Sequence, residues 1–238
     1  MSVSSVGMTD IGLRRVMNQD TFVCAEGHHL YIVADGMGGG IGGEVASRMA
    51  VDTVCEFYAT HTAMPESEDK LAQAIRQANQ KIYEAGEQSV THKGMGTTIV
   101  AIVALPSKTI VGYVGDSRIY QCHDGKCLQV TVDHSLVNDY IKMGFLSPKA
   151  ATSHPTRHVL SRALGPFSSV EVDVFTKTPT PGDLFLLCSD GLTNQLSNDE
   201  IGTILKGDDL NKVGQTLIDR AKETGGKDNI TVVLVRYD

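Results

Sequence analysis

The chain has 238 residues, 41% of them hydrophobic, enough for one sizeable core or two small ones. Its formal net charge of −7 argues against nucleic-acid or anionic-membrane partners, and no run approaches the ~20 apolar residues of a membrane helix. The cysteines, Cys24, Cys55, Cys122, Cys127 and Cys188, are scattered without a C-x-x-C, so neither a zinc ribbon nor a redox pair is expected. A reduced, cytoplasmic setting is the default, and the N-terminus carries no signal-peptide pattern.

In chain order, residues 2–9 are short, β-branched and Ser-rich, as a first strand would be. A polar connection with Arg14, Arg15, Asn18 and Asp20 leads to a strand at 21–25 and a turn at Glu26-Gly27. Leu30 to Ala34 is an apolar run suited to a covered strand, and Asp35 stands at its end. Six of the next eight residues are glycine, so the backbone there can approach a ligand closely. Helical spacing follows at 44–61 and 67–90, the second with Leu71, Ile75, Ala78 and Ile82 on one face. Strands are expected at 95–105 and 109–114, then a hairpin of 118–122 and 126–132 around Asp124-Gly125. Residues 133–168 are mixed and polar, with short helical patches and His134, His154 and His158, and form a candidate flap. Strand patterns at 170–175 and 183–188, helices at 198–206 and 208–224, and a last strand at 230–236 complete the chain. Strands in clusters rather than in βαβ alternation predict antiparallel sheets with helices packed outside. One domain over 1–238 is expected, and it is expected to be a monomer.

Two chemistries compete at the glycine stretch. Gly38 to Gly43 fits G-x-G-x-x-G after a strand and before a helix, the dinucleotide fingerprint, although so glycine-rich a run matches easily. That reading has no use for Asp35, whose charge would face a pyrophosphate. A metal site uses Asp35 and predicts further carboxylates at strand ends. They recur: Asp116 after 109–114, Asp190 in a second strand-Asp-Gly repeat, and Asp228 before the last strand. Hard divalent cations such as Mg²⁺ and Mn²⁺ take oxygen ligands and keep several waters. A strand-end aspartate can also merely cap a turn. That reading serves one such residue better than it serves four.

Motifs along nearly the whole chain resemble the metal-dependent Ser/Thr protein phosphatase family (PPM, or type 2C) in its short bacterial form. They are Thr9-Asp10-Ile11-Gly12 with Arg15 to Asp20, Val33-Ala34-Asp35-Gly36-Met37-Gly38-Gly39, and Gly94-Met95-Gly96-Thr97-Thr98. Next come Gly115-Asp116-Ser117-Arg118, Asp133-His134-Ser135 and Ser161-Arg162-Ala163-Leu164-Gly165. Cys188-Ser189-Asp190-Gly191-Leu192 and Gly226-Lys227-Asp228-Asn229-Ile230-Thr231 close the series. The resemblance implies an α+β fold, a four-layer αββα sandwich of two antiparallel sheets flanked by helix pairs. It implies hydrolysis of phosphoserine and phosphothreonine by direct attack of metal-bridged hydroxide, reversing a Ser/Thr kinase. Two core Mn²⁺ or Mg²⁺ ions would be bridged by Asp35, with the Gly36 carbonyl, Asp190 and Asp228 as further ligands. Asp20 would act through water, and Asp116 with Asp190 would hold a third, weaker ion. Arg15 would grip the phosphate, leaving Arg14 a bystander, and the loop glycines would serve close packing; Arg118 and Arg162 would be structural.

One departure matters. Animal members have a histidine where this chain has Met37, and many bacterial members have one where it has Gly40. His158 is a substitute contact from the flap, weighed against a solvated loop histidine. His134 is a weaker flap contact or merely a cap for the helix after Asp133. A nucleotide-binding oxidoreductase and a catalytically dead binding module are the competing functions; the intact set Arg15, Asp35, Asp190 and Asp228 argues against the latter.

Overall fold

Strand β3 (Leu30–Met37) is covered on both faces, and its alternation assigns each residue to a layer. Leu30, Ile32 and Ala34 pack under helices α1 (Gly43–Thr60) and α2 (Glu68–Glu87). Tyr31 and Val33 point the other way, into a core shared with a second sheet. The computed structural model describes residues 1–37, 42–152 and 154–238.

The first sheet runs β1-β11-β10-β7-β8, with β1 Val3–Asp10, β7 Arg118–His123, β8 Lys126–Gln129, β10 Leu184–Cys188 and β11 Ile230–Tyr237. The second runs β2-β3-β5-β6-β9, with β2 Asp20–Ala25, β5 Ile99–Leu105, β6 Lys108–Val114 and β9 Asp173–Lys177; the short β4 (Gly96–Thr97) also pairs with β3. Every described pairing is antiparallel. The parallel βαβ unit of a dinucleotide fold is therefore missing among the described residues, and Gly38 to Ile41 of the fingerprint stretch lie outside them.

Three apolar layers correspond to the three spaces of a four-layer sandwich. β3, β5 and β6 pack against α1 and α2. β10 and β11 pack against α5 (Asp190–Thr193), α6 (Asn198–Ile204) and α7 (Leu210–Glu223) through Leu186, Leu217, Val232 and Leu234. Between the sheets lie Tyr31, Val33, Val100, Ile102, Val111, Phe185, Leu187, Val233 and Val235. The helices start where their caps dictate. Ser67 Oγ accepts from the Lys70 amide at α2, and Ser197 with Glu200 forms a capping box at α6. No described helix is long and apolar enough to cross a membrane.

Two local expectations change, at Thr98 and at the cysteines, while the short helical patches expected in the flap segment are present. The expected strand 95–105 is broken at Thr98, whose amide turns to the Asp35 carbonyl at 2.9 Å. Residues 133–168 hold two short helices, α3 (Leu136–Lys142) and α4 (Pro148–Ala151). The segment closes on itself through the Ser135–Leu160 bridge and is tied to the body through the Thr97–Leu164 bridge. The cysteines are not all unpaired: Cys122 and Cys127 are disulfide-bonded. Asp124 and Gly125 take positive φ of 47° and 73°, the tight turn the sequence predicted, and its register sets the two cysteines opposite each other.

The inter-sheet layer holds the site end of the sandwich together. Leu187→Ala, at a fully buried position of that layer, should cost about 2–5 kcal/mol of unfolding free energy. The check is a urea midpoint with unchanged slope; a loss below about 1 kcal/mol would mean the layer closes around the void.

Candidate active site

At one end of the sandwich the inter-sheet layer changes chemistry. Continuing the inward parity of Tyr31 and Val33 gives Asp35, that of Phe185 and Leu187 gives Ser189, and that of Val233 and Val235 gives Thr231. Thr98 and Ser117 continue β5 and β7 in the same way. Their hydroxyls share a 2.7 Å hydrogen bond, and Thr98 Oγ1 also accepts the Asp35 amide at 3.1 Å. Asp20 stands opposite Asp35 in the β2–β3 register. Its Oδ2 accepts hydroxyls of Ser189 at 2.8 Å and Thr231 at 2.6 Å, while its buried Oδ1 has no partner among the described residues.

Asp35, Asp116, Asp190 and Asp228 line one cavity of about 570 Å³, with Arg15, Gln19, Gly36, Met37, Thr98, His158, Val159 and Leu160. The structure brings these predicted residues to one place. Asp20 lies buried behind them, and Gly36 donates its amide to the Gln19 carbonyl at 3.1 Å. A Cβ on Gly191 would sit 1.8 Å from the Asn229 carbonyl, so only glycine lets α5 bring Asp190 this close to the segment of Asp228. Asn194 donates to Asp190 Oδ2 at 2.9 Å.

Burial and mutual repulsion dominate the electrostatics. Burial, then the charges of Asp20, Asp190, Asp116 and Asp228, hold the Asp35 carboxyl well above its ordinary range. Burial raises Asp20 to about 6 and Asp116 to about 7, with Asp190 the foremost repelling charge on each. Asp190 is raised by burial and then by Asp228. An all-oxygen donor set that resists ionisation, beside an orphaned carboxylate oxygen, fits hard divalent cations. Among the described residues no three such side chains close tightly enough to cage an ion alone.

Arg15 sits at the rim, half exposed, with Nη2 donating to Asp228 Oδ2 at 2.6 Å. Its loop is clasped by Asn229, whose Nδ2 donates to the Ile11 and Met17 carbonyls at 3.0 Å each and whose Oδ1 accepts the Gln19 amide at 2.8 Å. The exposed Arg14 does not line the cavity. His158 is exposed and lines it. His134 does not: it is buried, stacked on Tyr113 at 5.0 Å. Its Nδ1 accepts the Gly115 amide at 3.1 Å, so the neutral ring carries its proton on Nε2, 3.5 Å from Asp173. Burial lowers its pKa. Nor does His134 cap α3, because Ser135 Oγ accepts from Asn138 there. Arg118 and Arg162 are engaged by carboxylates, Arg118 by Asp133 and Arg162 by Asp173 and Glu171. The Gly40 position lies outside the described residues.

The roles of Thr98, Ser189, Thr231, Asn194 and Asn229 escaped the sequence reading. Each lies within a quoted motif or beside one, but its contact depends on the pairing of distant strands.

The raised carboxyls have a consequence for stability. Asp20 and Asp116 keep protons in the folded metal-free chain that the unfolded chain releases near pH 4. Between about pH 4 and 7 the folded state binds more protons, so its stability falls as pH rises through that window. The lowered carboxyls of Asp10 and Asp173 act in the opposite sense only below that window, while the lowered imidazole of His134 opposes the decline up to about pH 6.5, one group against two. Calorimetry in EDTA should give a Tm that declines from pH 5 to pH 7.5, with a shallower decline in Asp20→Asn. A Tm that rises over that range contradicts the assignment.

Comparison with known proteins gives the family. A family model for protein phosphatase 2C matches residues 14–234. The serine/threonine phosphatase stp of Listeria monocytogenes is 40% identical over 237 residues, covering 97% of this chain and 94% of that protein. The structure is similar to the S. agalactiae serine/threonine phosphatase, with a TM-score of 0.91 and 39% identity over 100% of both chains. It is also similar to the catalytic domain of the serine threonine protein phosphatase PstP in complex with two manganese ions, with a TM-score of 0.88 and 32% identity over 99% of each chain. With the family model spanning nearly the whole length, and a carboxylate cavity at the end of a two-sheet sandwich, the chain belongs to the protein phosphatase 2C family.

Proposed function

We propose that the chain hydrolyses phosphoserine and phosphothreonine on proteins, with divalent Mn²⁺ or Mg²⁺ as cofactor, and so reverses the action of a Ser/Thr kinase. The observation that carries this reading is the convergence of Asp35, Asp116, Asp190 and Asp228 on one cavity with Arg15 at its rim. The name of the Listeria relative and the manganese in the PstP structure support it.

Asp35, the Gly36 carbonyl, Asp190 and Asp228 would hold two core ions, with Asp20 behind them acting through water; Asp116 with Asp190 would hold a weaker third. Such ions acidify a water for attack on phosphorus and neutralise phosphoryl charge. Arg15 supplies the planar fork that grips phosphate oxygens, since its bond to Asp228 leaves other guanidinium N–H groups to donate. No phosphoenzyme is implied, since no cysteine or serine stands in a nucleophile motif, and Cys188 is buried with its thiol pushed up to about 12. The departing serine or threonine alkoxide needs a proton. Met37 has none to give, and His158 is the imidazole lining the cavity among the described residues. The other source is a water at the Asp116 site.

Chelation by EDTA should abolish turnover of p-nitrophenyl phosphate and of a phosphothreonine peptide, and Mn²⁺ should restore both. Asp190→Asn should lose at least about a thousandfold in kcat, since each ~1.4 kcal/mol of barrier is a factor of ten. Full activity in excess chelator ends the metal reading.

Arg15→Ala should raise KM clearly, with poor rescue by Arg15→Lys, which lacks the fork. Because Arg15 touches Asp228, manganese affinity is measured alongside by calorimetry. An unchanged KM, with the defect in Arg14→Ala instead, would reassign the phosphate clamp.

The proton source separates two substrates, because p-nitrophenolate leaves without help. Asp116→Ala should slow phosphopeptide hydrolysis much more than p-nitrophenyl phosphate hydrolysis. If only His158→Ala shows that selectivity, the role belongs to the imidazole.

A further inference from the structure

The short connection from β6 to β7 delivers Asp116 to the cavity, and it turns sharply to do so. β6 ends at Val114, and Gly115 takes a positive φ of 108°. A Cβ there would lie 2.6 Å from Thr98 Cγ2. Glycine permits this turn but does not hold it. Both polar backbone groups of Gly115 are taken by one residue, His134. The His134 amide donates to the Gly115 carbonyl at 2.9 Å, and the Gly115 amide donates to His134 Nδ1 at 3.1 Å. Asp116 is the next residue along the chain.

The imidazole is itself held. It stacks on Tyr113 at 5.0 Å, with the two rings 15° apart, and its Nε2 lies 3.5 Å from Asp173. Asp173 is fixed in turn by Arg162, whose Nη1 donates at 2.7 Å, and by the Tyr113 hydroxyl, which donates at 3.1 Å. A carboxylate facing Nε2 favours the tautomer with its proton there, which leaves the Nδ1 lone pair to Gly115. The His134 carbonyl accepts the Ser161 amide at 2.9 Å, so the far end of the 133–168 segment returns to the same residue. His134 is buried and does not line the cavity, and the reaction described above makes no use of it. A buried ring with this many partners is a support, and the group it supports is the peptide that precedes Asp116.

We propose that His134 is a positioning residue for Asp116, holding that carboxylate where it serves the weaker third cation. This rests on the phosphatase reading above and adds a residue that acts on its Asp116 site without touching substrate or metal. The chain of contacts runs from Asp173 through the imidazole and the Gly115 peptide to Asp116. Removing a group that orients a metal-binding side chain costs about 10- to 100-fold in metal affinity or activity.

The test compares wild type with two variants. His134→Phe keeps a flat ring beside Tyr113 but has no acceptor; His134→Asn offers Oδ1 in place of Nδ1. In a calorimetric titration His134→Phe should bind its weakest Mn²⁺ about tenfold less tightly, with the tighter binding unchanged. At saturating Mn²⁺ it should lose about tenfold or more in kcat/KM for a phosphothreonine peptide, and much less for p-nitrophenyl phosphate. His134→Asn should recover most of both losses. In the Asp116→Ala background His134→Phe should slow neither substrate further, because the two residues act through one chain of contacts. Equal losses for the two substrates, or losses that multiply in the double variant, overturn the proposal while the phosphatase reading stands. Wild type alone supplies a check that no folding defect obscures. In metal-free protein labelled with ¹⁵N, a scalar coupling should join the Gly115 amide nitrogen to His134 Nδ1, and a ring protonated on Nδ1 overturns the proposal. Wild type that hydrolyses neither substrate overturns both readings.

Discussion

The structure depends on a repulsion it does not relieve by itself. Five aspartates, Asp20, Asp35, Asp116, Asp190 and Asp228, are drawn to one end of a sandwich whose interior is otherwise apolar. Burial and the charges of their neighbours raise the carboxyls of Asp20, Asp35, Asp116 and Asp190. Arg15 reaches them from the rim through Asp228. One half-exposed guanidinium does not balance such a set, which is why the donor chemistry points to divalent cations rather than to an internal ion pair.

The sandwich makes this arrangement possible because its strands are buried on both faces. Residues of one parity fill the space between the sheets until the strands reach the site end, where the same parity turns polar. The hydroxyls of Thr98, Ser117, Ser189 and Thr231 then supply the hydrogen bonds that buried polar groups require. The backbone is fitted as closely. Gly191 has no room for a Cβ against Asn229, and the Asn229 amide ties the Arg15 loop to the turn that carries Asp228. The aspartates, brought in by separate elements, are thus held by contacts that depend on one another.

Much of this was legible in the sequence. The two strand-Asp-Gly repeats at Asp35 and Asp190 could be read because an apolar run that stops at a carboxylate marks the end of a covered strand. The long helices α1 and α2 could be placed from their spacing, and the hairpin from Asp124-Gly125. What could not be read depends on pairing between segments far apart. The break at Thr98 comes from its amide turning to Asp35, and no local pattern encodes that. His134 looked like a cap or a flap contact, but its ring is taken by Gly115, Tyr113 and Asp173. Cys122 and Cys127 lacked a recognised spacing, yet the hairpin register set them side by side. The dinucleotide alternative failed for a topological reason, since a fingerprint needs a parallel unit and the described strands pair antiparallel.

Raised carboxyls at Asp20, Asp35, Asp116 and Asp190 hold protons in the metal-free chain that bound cations would displace. Manganese binding should therefore release protons, because its ligands must ionise to bind it. The direct measurement is isothermal titration of metal-free protein with Mn²⁺ at pH 6.5 in two buffers of different ionisation enthalpy. Binding should come with net proton release, smaller at pH 8, where Asp20 and Asp116 are already ionised. Binding with no difference between the buffers, or no binding at all, would contradict it.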